Sequence, residues 1–540
     1  MSETTRTVDA VVVGAGFAGM YAHHRFRQIG LTVQGFEVAS DVGGTWWWNR
    51  YPGARCDVES MDYSYGFAPD LEQEWTWSER YATQPEILRY ANHVADRFDL
   101  RRDIAFETRV TAAHWDDDTR EWDVRTDRGH HVRARFLVMA VGCLSAAKQP
   151  EIDGIDSFRG PTYHTGRWPH DGVDFTGRRV GVIGTGSSGI QSIPLIAQQA
   201  AHLTVFQRTP NFTMPAKNGP LAPEAITARK ARAREHREAM RVSHAGVVVT
   251  PPTESALAVD DDAREARFDA AWESGTLFGM VGAFNDLLVN RDANETAAEY
   301  VRRRIRSIVR DPDVAERLSP RNHALGTKRP CLDSGYYATY NRENVTLVDV
   351  RATPIVAITP GGVRTSEREY ELDALVFATG FDAMTGPILG VDVRGVGGRS
   401  LREKWAAGPR TYLGLMSAGF PNLFTVTGPG SPSVLVNMLV AIEQHVDWIA
   451  DCIAYLRDHD IVTIDATVEA EDAWVDHVNE LASFTLFPTA NSWYMGANVP
   501  GKPRVFMPYV GGLPRYSKTC DEVAAEGYRG FTLTPAKMRH

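Results

Sequence analysis

The chain is poor in cysteine, with five in 540 residues: Cys56, Cys143, Cys331, Cys452 and Cys520. Their number is odd and their spacing wide. No C-x-x-C pair and no metal-ligand spacing is present, which excludes a disulfide framework, a zinc module and a redox-active dithiol. The thiols are expected to be reduced and mostly buried, and no metal site is expected. Long apolar runs are missing as well. The richest stretch, residues 434–456, is interrupted by Glu443, His445 and Asp447, so no membrane span is expected. The start, Met1-Ser2-Glu3-Thr4-Thr5, lacks the basic-then-apolar pattern of a secretory leader, and a cytoplasmic location follows as the expectation. Positive charge is not in excess either. A net charge of −10 argues against broad binding to nucleic acid or to anionic membranes. Small-molecule partners and a monomeric chain are expected. What is present in ordinary amounts, 43% hydrophobic and 23% charged residues, describes a soluble globular protein of about three or four domains.

Glycine is used with purpose at two places. Gly14-Ala15-Gly16-Phe17-Ala18-Gly19 follows Val11-Val12-Val13, and Gly184-Thr185-Gly186-Ser187-Ser188-Gly189 follows Gly181-Val182-Ile183. Each opens a helix-like segment and is followed by a second apolar strand, residues 32–36 and 202–206. Such a turn brings backbone close to a pyrophosphate and aims a helix N-terminus at it. The residue that ends each second strand separates the two units: Glu37 in the first, Gln207 followed by Arg208-Thr209 in the second. An acid there accepts a hydrogen bond from a ribose 2′-hydroxyl, whereas a nearby arginine accommodates a 2′-phosphate. The first unit therefore suits the adenosine ribose of FAD or NAD, the second NADP.

The fold class is α/β, with two Rossmann-like dinucleotide-binding domains, for FAD and NADP, and an inserted helical region. We expect residues 1–146 and 382–540 to form the FAD-binding domain, 147–215 and 328–381 the NADP-binding domain, and 216–327 the helical insertion. Two short apolar strands ending in glycine, 136–142 and 372–380, carry the chain between the two sheets. The arginine-rich stretches 229–241 and 302–306 alternate with acids and lack interleaved aromatics. They read as solvated helix faces.

Between the two glycine turns lies Phe158-Arg159-Gly160-Pro161-Thr162-Tyr163-His164-Thr165-Gly166-Arg167-Trp168-Pro169. This F-x-G-x-x-x-H-x-x-x-W-P string resembles the fingerprint of the type I Baeyer-Villiger monooxygenases. The resemblance extends to Gly43-Gly44-Thr45-Trp46-Trp47-Trp48 and on through Asp57, to Lys328-Arg329, Ala378-Thr379-Gly380, residues 428–433 and Trp493-Tyr494-Met495-Gly496-Ala497-Asn498. It implies a cycle in which NADPH reduces FAD, the reduced flavin captures dioxygen as a C4a-peroxide, and the anion attacks a ketone to give an ester or lactone. It also implies Arg329 as the catalytic arginine and Asp57 as its acidic partner. FAD contacts would come from Gly14, Gly16, Phe17, Gly19, Glu37, Gly44, Thr45, Trp46, Asp57, Tyr63, Val110 and Met438. NADP contacts would come from Gly184, Thr185, Gly186, Ser187, Ser188, Gly189, Arg208, Thr209, Lys328, Arg329 and Trp493. Cys143, Leu144, Ser433, Val434 and Leu435 would border the substrate, and His164 would belong to the linker between nucleotide domains.

Elementary electrostatics supports an arginine in that role. It stays protonated in proteins. A charge pair about 4 Å apart at an effective dielectric of about 20 interacts by about 4 kcal/mol, or roughly three pK units at about 1.36 kcal/mol each. As bare sequence, Asp57 and Arg329 are equally compatible with an ordinary salt bridge, and only a fold that brings both to the flavin makes them a site. Two other function classes remain open: a flavin-dependent N- or S-oxygenase, and a non-catalytic FAD-binding redox sensor that has no need of Arg329. A disulfide reductase is excluded for want of a cysteine pair.

Overall fold

The computed structural model describes residues 5–536. The first four residues of the segment inspected for a leader lie outside that range. Two sheets organise the chain. In the first, strand β1 (Arg6–Val13) runs into helix α1 (Phe17–Gln28) and strand β2 (Val33–Phe36). The sheet has eight strands. β1 sits between β2 and the strand His131–Met139, parallel to both, with Val12 opposite Gly35 and Val138. The strands Val110–Asp116 and Glu121–Thr126 extend it antiparallel. Chain from far downstream then returns: Leu423–Thr425 pairs with His131–Met139, and Asp392–Arg394 with Val110–Asp116.

Strand β1 is buried along its C-terminal half because α1 and the long helix Met438–Asp458 cover one face. That helix starts where Asn437 turns its side chain back to accept from the Leu439 N–H, at 3.2 Å. Such a cap satisfies a donor that the helix itself leaves free.

The second sheet has five strands, all parallel, in the order Val345–Asp349, His202–Gln207, Arg179–Ile183, Ala374–Phe377, Thr162–His164. The fingerprint segment is thus its edge strand, and Trp168 just beyond it is buried against Tyr163 and Phe175. Parallel strands covered on both faces read as apolar runs, which is why the second sheet and the parallel centre of the first were visible in sequence.

Residues 223–318 carry five helices, Pro223–Ala231, Ala233–Arg241, Asp261–Ser274, Arg291–Ile308 and Pro312–Leu318. The last three start at Asp260, Asn290 and Asp311, each capping by side chain. The expectation that the arginine-rich stretches are simply solvated is corrected at two positions. The Arg237 side chain is 8% exposed, between Glu72 and Ser64, and that of Arg302 is 3% exposed, donating to the Pro320 carbonyl and Glu295. A buried guanidinium needs such partners; those of Arg237 come from distant chain, whereas Arg302 takes Glu295 and Glu299 from its own helix. Among the described residues, no helix is long and apolar enough to cross a membrane, and no group of three or more His, Cys, Asp or Glu is placed to hold a metal.

Candidate active site and nucleotide sites

Gly14 takes φ +106°, and a Cβ there would lie 2.5 Å from the Ala140 carbonyl oxygen. Only glycine fits, because L side chains avoid positive φ and the backbone of the neighbouring strand is in contact. A Cβ on Gly19 would fall 1.8 Å from the Gly14 carbonyl oxygen. A Cβ on Gly16 would lie 3.3 Å from the Gly44 Cα, and the Gly43 N–H donates to the Ala15 carbonyl. The first turn is therefore lidded by the Gly43-Gly44 segment. Phe17 packs edge-on against Tyr63 and Tyr65, and Tyr63 accepts from the Trp46 indole at 3.1 Å. Thr45 is exposed at the start of the helical turn Thr45–Trp48, Val110 is buried at the head of its strand, and Met438 is half-buried at the head of its helix.

The buried Glu37 carboxylate accepts from the Ala15 N–H of the turn at 2.7 Å and from the Ala39 N–H at 2.8 Å. Burial pushes its pKa up, while those N–H groups pull it down. Beside Ala39 opens a cleft of about 500 Å³ whose walls include Val38, Ser40, Trp47 and Trp48.

The second turn repeats the backbone and changes the surroundings. Gly184 takes φ +111° with its Cβ position 2.4 Å from the Ala378 carbonyl oxygen, and a Cβ on Gly189 would lie 2.4 Å from the Gly184 carbonyl oxygen. A Cβ on Gly186 would meet nothing within 4 Å. Thr185 donates to the Thr209 carbonyl at 3.0 Å, Ser188 pairs with Thr165 of the fingerprint at 3.0 Å, and Ser187 pairs with Cys331 at 3.2 Å. Gln207 does not mirror Glu37. It is buried, and its amide donates to the Arg317 carbonyl at 2.8 Å, away from the turn. Arg208 is exposed at the end of the strand. Lys328 donates to the Asn491 carbonyl, and burial first, then the like charge of Arg208, lowers its pKa to about 8.

Lys148, which the sequence did not single out, occupies the junction of the two sheets. Its carbonyl accepts from His164 Nε2 at 3.1 Å and from the Thr379 hydroxyl at 2.8 Å, and its ammonium donates to the Asn498 carbonyl. His164 Nδ1 accepts from the Gly166 N–H at 2.9 Å, so Nε2 carries the proton, and burial lowers the imidazole pKa. The neutral ring thus ties its own strand to the segments of Lys148 and Thr379.

Arg329 and Asp57 meet. Arg329 donates through Nε to Asp57 Oδ2 at 2.7 Å, through Nη2 to Oδ1 at 2.9 Å, and through Nη1 to the Val434 carbonyl at 2.7 Å. The bidentate fork fixes the guanidinium plane. Burial opposes the charge on Arg329, but Asp57 outweighs it and raises the pKa above the ordinary arginine value. The pair is assembled from both halves of the chain. Tyr51 donates to Gln191 of the helix Ser187–Gln199 at 2.7 Å, and Gln191 donates to the Arg55 carbonyl at 3.1 Å, which pins the loop ahead of Asp57 to the second unit. On the other side the Asn211 amide holds the Arg329 carbonyl at 3.0 Å.

Cys143, Val434 and Tyr494 form an apolar cluster with half-buried Leu144, Leu435, Met438 and Trp493. Ser433 is fully buried beneath it, 3.0 Å from Cys143 Sγ. Tyr494 is a second residue that sequence reasoning passed over. Its hydroxyl pKa is pushed up to about 12 by burial, with Arg329 pulling it back, so it is a neutral donor beside the guanidinium. Its place directly after Trp493 was the only signal.

Comparison with known proteins fits this geometry. The model of the pyridine nucleotide-disulphide oxidoreductase family matches residues 11–245. The five cysteines are nonetheless free and buried, so that match reflects a nucleotide fold and not a dithiol. A Baeyer-Villiger monooxygenase of Pseudooceanicola batsensis is 46% identical, covering 98% of this chain and 97% of its own. A phenazine N-monooxygenase of Lysobacter antibioticus is 41% identical, covering 97% of each. The solved structure of an oxidised steroid monooxygenase bound to NADP is 56% identical with a TM-score of 0.94, covering 98% of this chain and all of its own. Related solved structures hold FAD and NADP together. With relatives of this identity along almost its full length, the chain belongs to the type I Baeyer-Villiger monooxygenase family.

Proposed function

We propose that this protein is an FAD- and NADPH-dependent Baeyer-Villiger monooxygenase that converts a ketone and dioxygen into an ester or lactone. The observation that carries the reading is the Arg329–Asp57 fork beside the Val434 carbonyl, at the edge of an apolar cluster. In this reading residues 1–146 and 382–540 hold FAD, residues 147–215 and 328–381 hold NADP(H), and residues 216–327 are the helical insertion. The lidded turn at Gly14–Gly19 with Glu37 is suited to a resident dinucleotide whose ribose is free of phosphate. The open turn at Gly184–Gly189 with Arg208, Thr209 and Lys328 is suited to a dinucleotide bearing a 2′-phosphate.

When bound, FAD reduced by NADPH supplies the activation of dioxygen. The chain's own residues supply the setting. Arg329 places a fixed positive charge where an oxygen nucleophile must stay anionic and where negative charge develops on the attacked carbonyl oxygen. Asp57 holds the guanidinium plane and offsets part of its field. Cys143, Leu144, Val434, Leu435 and Trp493 exclude water around it, which strengthens every charge interaction inside. Tyr494 offers a neutral hydroxyl to the same place.

An N- or S-oxygenase, a reading that the phenazine N-monooxygenase relative keeps in play, needs a protonated, electrophilic oxidant, and a guanidinium held charged works against protonation. Supplying one ketone, one tertiary amine and one sulfide with NADPH, and quantifying ester, N-oxide and sulfoxide, separates the readings. Ester formation supports the proposal, and N-oxide without any ester overturns it. The same reading has the protein act as a cytoplasmic monomer.

A further inference from the structure

We infer that Lys148 completes the cofactor-phosphate site: with Arg208 and Lys328 it forms a three-cation cluster that reads the 2′-phosphate and sets the preference for NADPH over NADH. The inference rests on the nucleotide assignment above and adds to it a residue that no motif supplies. Lys148 sits at the carboxyl end of the second sheet, where ligands of parallel sheets bind. The Lys148 N–H donates to the Gly380 carbonyl just past the strand Ala374–Phe377, and its own carbonyl accepts from His164 at the end of the edge strand. Arg208 leaves the same end of the strand His202–Gln207.

Lys148 and Arg208 therefore rise from one edge, and Lys328, whose ammonium donates to the Asn491 carbonyl, stands close enough to Arg208 to feel its charge. Arg208 acts as a like charge on both lysines: after burial it is the next cause that lowers the pKa of each. Nearby acids only partly compensate. Glu151 and Asp382 raise the Lys148 pKa, and Lys502 already engages Asp382. Each lysine ammonium is held by a main-chain carbonyl, Asn498 for Lys148 and Asn491 for Lys328. A carbonyl leaves the charge unneutralised, so both remain available to a dianion. Clustered like charges this close are unfavourable in the free protein, and a phosphate relieves them.

The placement gives Lys148 a second consequence. Its carbonyl joins His164 and Thr379, and its ammonium reaches the segment that carries Trp493. A phosphate drawn to Lys148 thereby acts on both the sheet junction and the Trp493 loop.

The test uses the FAD-loaded protein and titrates NADP⁺ and NAD⁺ by calorimetry, with no turnover. For Lys148→Gln the expected result is about a tenfold loss of NADP⁺ affinity, a typical effect of losing one charge-assisted contact, with NAD⁺ affinity unchanged within about twofold. Lys148→Arg should retain most of the NADP⁺ affinity and shows that any loss in the first variant is not misfolding. Equal losses for both nucleotides would mean a structural role only, and no loss for either would remove Lys148 from the site; both results overturn the inference. Arg208→Ala run in parallel separates the two levels. If it weakens NADP⁺ while Lys148→Gln does not, only the Lys148 role fails. If neither variant affects NADP⁺, the nucleotide assignment itself fails.

Discussion

The two glycine turns share a backbone and differ in their walls. At Gly14 and Gly184 the φ angles are +106° and +111°, and in each a strand carbonyl stands 2.5 or 2.4 Å from where a Cβ would be. They part at the middle glycine. Gly16 is closed over by Gly44, whereas Gly186 faces open space. They part again in charge: a buried carboxylate reaches back to the first turn, while the strand beside the second ends at an exposed arginine that acts on the partly buried Lys328. One fold thus builds two turns with different walls, one lidded and one open; in the proposed function the lidded turn holds a resident dinucleotide and the open turn an exchanging one. The Arg329–Asp57 pair lies where the loop of the first meets the helix of the second.

The comparison can be broken most severely at that meeting point. Arg329→Ala should lower ester formation by about 10²- to 10³-fold, the usual cost of removing a donor that stabilises developing charge. FAD content and the anaerobic rate of its reduction by NADPH should stay near wild type. Loss of flavin reduction as well would mean that Arg329 serves the second site and not the chemistry. Next in size, Arg208→Ala should reduce the ratio of kcat/KM for NADPH over NADH by about 10- to 100-fold, matching about 1.5–3 kcal/mol for contacts to a charged group. An unchanged ratio contradicts the charge contrast between the two turns.

The lid can be tested by adding one methyl to each turn. Gly16→Ala crowds Gly44 and should cost about 1–3 kcal/mol, as overpacking does, seen as a lower melting temperature and lower FAD content. Gly186→Ala should leave melting within about 0.5 kcal/mol of wild type and raise the KM for NADPH, because the methyl points where a phosphate would approach. Equal thermal effects of the two would abolish the distinction between lidded and open.

The smallest expected effect is a pH dependence. Burial and Arg208 hold Lys328 at about 8, below its ordinary 10.5. NADP⁺ affinity should therefore weaken by a few-fold as pH rises through about 8 and the ammonium loses its proton. Folding stability from this group has the opposite sign. The unfolded lysine binds more protons between pH 8 and 10.5, so the fold gains relative stability as pH rises across that window. In Arg208→Ala the midpoint for binding should move upward.

Much of this was legible in the sequence because the decisive features are local. A glycine turn, the apolar strand before it and the acid after it lie within about 25 residues, and the buried parallel strands of both sheets leave apolar runs. The placement of Glu37 and Arg208 directly after their strands could be read by position alone. The partnership of Arg329 with Asp57 could not, because the two are 272 positions apart and meet only through the packing of residues 51–55 on Gln191. Gln207 was read as the counterpart of Glu37, but its side chain turns to the Arg317 carbonyl; the contrast rests on the missing acid and on Arg208. Lys148 was silent in sequence because a lone lysine in a linker has no pattern, and its placement comes from three segments, at His164, Thr379–Gly380 and Asn498, converging on it. The burial of Arg237 was hidden for the same reason, its partners Glu72 and Ser64 being supplied by distant chain.

The most direct test of the central claim follows the oxygen. The protein is supplied with NADPH and a simple ketone under ¹⁸O₂, and the products are analysed by mass spectrometry. The account predicts an ester or lactone carrying one labelled oxygen atom, the other appearing in water, with Arg329→Ala giving almost none of the labelled ester. Ester formed without label, or labelled ester made undiminished by Arg329→Ala, would contradict it.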